Sequence, residues 1–143
     1  MSGILGVGSR SGVIGKTELD YETGTWTPTV EFGGGTTSIT YSHNLGRYTK
    51  IGNIVTADLQ IIMTSKGSST GAATITTLPF TVNGNDFSGI EIGLVYNMSA
   101  VPNDGYVTGT TFYLYNRTTT NTATDNDDFA DNTRIAIRVT YGI

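Results

Sequence analysis

Apolar and polar residues alternate with a period of two over three long stretches of this chain, and such alternation predicts strands with one buried face. From Asn53 to Thr64, Val55, Ala57, Leu59, Ile61 and Met63 share one side, while Thr56, Asp58 and Gln60 share the other. Gly89 to Ser99 repeats the pattern through Ile90, Ile92, Leu94, Tyr96 and Met98, and Arg134 to Tyr141 does so through Ile135, Ile137, Val139 and Tyr141. Shorter candidates are Thr29 to Phe32, Ser38 to Ser42, Arg47 to Ile51, Ala72 to Thr76 and Tyr106 to Asn116. Gly-Gly-Gly, Ser-Lys-Gly-Ser-Ser, Asn-Gly-Asn-Asp and Pro-Asn-Asp-Gly punctuate them. About eight strands at such spacing predict an all-β domain over residues 18–143, an antiparallel β-sandwich or jelly roll rather than a sheet with helical crossovers.

Two segments stand outside this rhythm. Residues 1–17 carry glycine at positions 3, 6, 8, 12 and 15 between short apolar steps. Such a segment gains little by folding alone, because glycine loses the most backbone freedom on ordering. It reads either as a loose tail or as an extended glycine-rich arm that lies on a neighbour, with Ile4, Leu5, Val13 and Ile14 as attachment residues. Asn116 to Asn132 has no apolar period and is expected to be a long loop, either a binding element or a solvated excursion.

The composition fits many strands joined by tight turns. Thr and Tyr suit a pleated, half-buried surface, and Gly and Asn supply positive φ. Hydrophobic residues make up 37% of the chain, enough for a core, and this separates it from a disordered Gly/Thr-rich sequence. The formal net charge of −4 lacks the basic footprint that nucleic acid or an anionic membrane surface would attract. With no cysteine, stability rests on burial, strand pairing or assembly. No apolar run is long enough to span a bilayer, and no apolar segment follows a basic start. The chain therefore reads as made in the cytoplasm without processing, and no membrane insertion is expected.

Motifs for chemistry are weak. Gly6-Val7-Gly8 is followed by Gly12 rather than by glycine at position 11, and Gly15-Lys16-Thr17 has Arg10 where a phosphate loop needs glycine. Asp125, Asp127, Asp128 and Asp131 could gather around a hard cation such as Ca²⁺, but Ala130 and Asp131 depart from the calcium-loop pattern, and a solvated turn is the simpler reading. One histidine, His43, leaves little for zinc or for a nucleophilic triad. Paired carboxylates meet in space rather than along the chain; Asp58 and Glu91, the main acids within strands, are expected on solvated or subunit-facing surfaces. No cofactor is expected.

Trp26, beside Pro28, reads as a core anchor that pins the chain entry together with Tyr21, with a carbohydrate-stacking platform as the competing role. Tyr113 and Tyr115 fall opposite Phe112 and Leu114, so that strand is apolar on both faces and both faces need cover. In a small sandwich the second cover is often another subunit, which makes Tyr113 and Tyr115 the expected subunit interface. Arg134 and Arg138 share one face but lie roughly 13 Å apart by strand rise, too far to grip one small anion.

The run from Asp20 to Gly35, DYETGTWTPTVEFGGG, with GRYTKIGNIV from Gly46 to Val55 and Leu78-Pro79-Phe80, resembles the opening of a β-rich module of tail-fibre and other virion structural proteins of tailed bacteriophages. Trp26, Tyr48 and Gly52 match it as structural positions, with Tyr48 a further anchor. The resemblance covers residues 18–82. It implies a non-enzymatic structural protein of the virion surface, commonly a homotrimer, with other virion proteins of the capsid or tail as partners. The single sandwich and its arm suit a capsid decoration or short head-fibre protein; the alternative is a tail-fibre tip that recognises a host surface glycan or protein, through loops around Asn83, Asn103 and Asn121.

Overall fold

The computed structural model describes residues 20–118 and 121–143. These form ten strands: β1 (Tyr21–Trp26), β2 (Thr29–Phe32), β3 (Thr40–Ile51), β4 (Ile54–Ser65), β5 (Ala73–Thr76), β6 (Ser88–Met98), β7 (Asp104–Thr108), β8 (Thr111–Asn116), β9 (Thr122–Ala123) and β10 (Phe129–Gly142). One 3-10 turn, Asn126–Asp128, precedes β10, and there is no α-helix among the described residues. The arm residues Ile4, Leu5, Val13 and Ile14 lie outside the described residues.

Every strand pairing among the described residues is antiparallel. The strands follow the path β1-β3-β4-β10-β6-β7-β8-β5-β2, with β9 beside β8. β6 is where the path turns over, because most of it pairs with β10 while Ser88 and Gly89 pair with β7. The sheet thus curls into two layers around one core. Leu59, Ile61 and Met63 of β4 and Ile135, Ile137 and Val139 of β10 share that core with Phe32, Ile75, Phe112 and Leu114 of the other layer. Trp26 stacks on Phe112 with centroids 6.2 Å apart, and Phe32 meets Phe129 edge-on at 5.0 Å.

The two ends of the path, β1 and β2, are consecutive in sequence and joined only by Thr27 and Pro28. Pro28 is buried there, and its carbonyl accepts a hydrogen bond from Asn44 Nδ2 at 2.7 Å. Proline suits this corner because it brings no N–H that a ladder would have to satisfy.

The GTW and GRY triplets have a joint explanation. β1 and β3 pair so that Gly24 lies opposite Tyr48, Thr25 opposite Arg47 and Trp26 opposite Gly46. Each glycine leaves room for the aromatic ring of the other strand: a Cβ on Gly24 would fall 2.6 Å from the Tyr48 hydroxyl. Tyr48 then reaches Phe80 edge-on at 5.2 Å and donates its hydroxyl to Glu22 at 2.6 Å. Trp26, Pro28 and Tyr48 are therefore anchors as expected. Tyr21 is not. It has the parity of Thr23 and Thr25, points outward, and is 58% exposed.

Three other expectations change. Ser38 to Ser42 and Arg47 to Ile51 belong mostly to one long strand, β3. Tyr106 to Asn116 is a hairpin, not a strand, because Gly109 takes φ +57° at the first position of a two-residue turn, which glycine adopts without strain. In β6, Ala136 pairs with Leu94 while Ile137 pairs with Ile92, so Gly93 is an extra residue, a β-bulge. The bulge inverts the alternation beyond it. Ile90 and Ile92 pair with core residues of β10, as does Val95, whereas Leu94 and Tyr96 turn outward and are 44% and 59% exposed.

Candidate functional site

The hairpin of β7 and β8 builds a ladder of rings on the outer face of its layer. Phe112 and Leu114 point into the core, which sends Tyr113 and Tyr115 outward, half-buried. Tyr106 lies directly opposite Tyr113 and diagonal to Tyr115. Its ring stacks on both, with centroids 5.0 Å and 5.9 Å away. Phe87, 69% exposed, meets Tyr106 edge-on at 5.2 Å. At the other end Arg117 lies 5.6 Å over the Tyr115 ring and pairs with Asp104 at 2.9 Å. The Tyr115 hydroxyl, and then burial, push the Tyr106 phenol above its ordinary range. The result is a flat aromatic surface closed at one end by an ion pair.

Tyr113 and Tyr115 were legible as outward residues, but Tyr106 and Phe87 were not. On an unbroken strand Tyr106 and Tyr113 have opposite parity and would face apart. Gly109, flanked by threonines, is the signal that turns the strand back and brings them together.

The outer face of the other layer carries a different pattern. Arg47, Asp58, Arg138 and Glu91 form a single row across β3, β4, β10 and β6. The next row in one direction is Leu45, Gln60, Ala136 and Leu94; on the other side lies the threonine row Thr49, Thr56 and Thr140. A depression of about 550 Å³ lies over the charged row, where Gly93 and Ala136 offer no bulk. Among the described residues the ion pairs are Lys50 with Asp20 and Arg117 with Asp104, so the four charges of this row form none with each other. Arg134 lies 5.5 Å over the Tyr96 ring.

The stretch from Asn116 to Asn132 is not a plain loop. β9, the 3-10 turn and the first residues of β10 fall within it. Its carboxylates serve the backbone: Asp125 accepts from Asp127 N at 2.8 Å, Asp128 from Asp125 N at 3.0 Å, and Asp131 from Lys66 N at 2.9 Å. The first two form a capping box around the 3-10 turn. No group of three or more acidic or histidine side chains is placed to hold a metal ion among the described residues. His43 sits on the outer face beside Ile62, with its Nε2 buried and unpartnered. No helix among the described residues is long and apolar enough to cross a membrane.

Comparisons of the chain with protein-family models, with curated proteins and with solved structures give no match.

Proposed function

We propose that the chain is a non-enzymatic structural protein of a tailed-bacteriophage virion, a capsid decoration or short head-fibre protein held to the particle by residues 1–17 and assembled as a trimer through Tyr113 and Tyr115. The observation that carries this reading is the reciprocal pairing of Gly24 with Tyr48 and Trp26 with Gly46. The residues of the tail-fibre-type signature meet in one structural device, which supports a resemblance of architecture rather than of turn composition. The half-buried tyrosines opposite Phe112 and Leu114 support assembly, because an aromatic outer face gains from a second cover.

The test uses virions in which Ile4 and Leu5 are both replaced by Asp. Burying a full aliphatic side chain is worth about 1.5 to 3 kcal/mol, so the protein should be lost from particles and the capsid should open at a lower temperature, with host adsorption unchanged. Normal occupancy on the particle would overturn the reading.

A second reading, a receptor-binding fibre tip, is favoured by the exposed end of the ring ladder at Phe87. It predicts that Phe87→Ala abolishes adsorption to the host while the protein stays on the particle.

A further inference from the structure

Among the described residues, five of the seven large apolar side chains that stand exposed lie on one surface: Tyr21, Ile51, Ile54, Leu94 and Tyr96 all face outward from the layer of β1, β3, β4, β10 and β6. They stand in two groups, Tyr21, Ile51 and Ile54 at one end and Leu94 and Tyr96 at the other, with the threonine and charged rows between them, and only the second group adjoins the charged row. Strand spacing and rise give this face roughly 19 by 27 Å in projection, about 500 Å² per copy, at the low end of interface size.

The charges say what covers it. The central row reads plus, minus, plus, minus in the order Arg47, Asp58, Arg138, Glu91. Turned over by a two-fold axis that runs along the strands between β4 and β10, the row reads in reverse. Arg47 then meets Glu91 of a second copy, and Asp58 meets Arg138 of that copy. An axis along the row would instead set each charge against itself, so the alternation selects one of the two orientations. The same operation sets Leu45 against Leu94 and Gln60 against Ala136, a large side chain over a small one at the depression. These are the features of an isologous interface, in which one patch complements itself.

We infer that the outer face of β3, β4, β10 and β6 binds a second copy of this chain about a two-fold axis between β4 and β10. The contact lies on the layer opposite the tyrosine ladder and does not depend on the virion assignment.

Charge reversal tests it on the full chain. Asp58→Arg alone sets an introduced guanidinium against the native Arg138 of the second copy, and Arg138→Asp alone sets an introduced carboxylate against the native Asp58 of the second copy. Each variant should weaken the contact by on the order of 100-fold, because opposed like charges cost several kcal/mol, and should halve the mass of the assembly at micromolar concentration. Mixing the two variants makes all four facing pairs complementary, and the mass should return to that of the unaltered protein with one copy of each. Recovery on mixing also shows that both variants are folded. A wild-type mass equal to one or three chains overturns the inference, as do single variants that keep the full mass or a mixture that stays apart. Because trimerisation at the tyrosines changes the mass by a factor of three and this contact by a factor of two, either can fail without the other.

Discussion

Trp26 stands over the α-carbon of Gly46, its cross-strand partner, so closely that a Cβ built there would fall 2.2 Å from the indole. No side chain other than hydrogen fits. Gly46→Ala should therefore force the indole off Phe112 and destabilise the domain by about 1 to 3 kcal/mol, the usual cost of overpacking. Gly89→Ala is the control, since a Cβ there meets nothing within 4 Å, and it should stay within about 0.5 kcal/mol of the parent. Urea unfolding of both variants decides the matter; equal midpoints would refute the close fit.

Tyr141 gives the domain an alkaline limit. Burial pushes its phenol up to about 12, and the hydroxyl lies near the Phe80 backbone without a well-formed hydrogen bond. In the unfolded chain the phenol ionises near its ordinary value of 10.0. Between these values the unfolded state holds fewer protons than the folded one, so stability is intact below pH 10 and falls as pH rises towards 12. Tyr141→Phe should flatten part of that slope and leave stability at neutral pH nearly unchanged. Urea midpoints measured from neutral pH upward test this, and an unaltered slope would move the alkaline loss from Tyr141 to other groups, among them Tyr41, Tyr48 and Tyr106, whose phenols are also raised.

Under the proposed assembly, removing the rings of β8 should separate subunits without unfolding them. Phe112 and Leu114 hold the strand from within, while each aromatic pair on the outer face adds about 0.5 to 1.5 kcal/mol. The double variant Tyr113→Ser, Tyr115→Ser is expected to lower the assembled mass threefold by light scattering and to retain its circular dichroism spectrum. An unchanged mass would refute the proposed trimer contact at these rings.

The acidic segment should behave as a cap and not as a cation site. Asp125→Ala removes the acceptor for Asp127 N and should cost about 1 kcal/mol, as loss of a capping side chain does. Calcium should leave the melting temperature unchanged. A midpoint that climbs with calcium concentration would show a bound ion instead.

How much of this was written in the chain depends on the kind of signal. β4 and the Arg134 to Tyr141 part of β10 could be read from alternation alone, because each is buried on one face without interruption. β6 could not, since one extra residue at Gly93 reverses the face of everything beyond it, and periodicity records no such event. The hairpin of β7 and β8 was missed because threonines on both sides of Gly109 look like strand. Trp26, Pro28 and Tyr48 were recognised as anchors, but the fit of each aromatic onto the other strand's glycine depends on register, which is a property of the pair and not of either segment. Tyr21 misled for a simple reason: an aromatic beside an anchor motif is not on its face unless the parity agrees. The alternating charges were visible one strand at a time, and only pairing aligned them into a row.

The two-residue join at Thr27 and Pro28 has a mechanical meaning. β1 is an edge strand, and an edge strand pulled from its free end would ordinarily be stripped from its neighbour while the rest of the sheet stood by. Here tension applied ahead of Asp20 travels down β1 to Trp26, wedged over Gly46, and crosses within two residues to β2 at the opposite margin of the sheet. The two margins of the sheet are thereby coupled through a join of two residues. A domain held by its N-terminal side would be loaded at the corner where the two margins of its sheet lie only two residues apart along the chain.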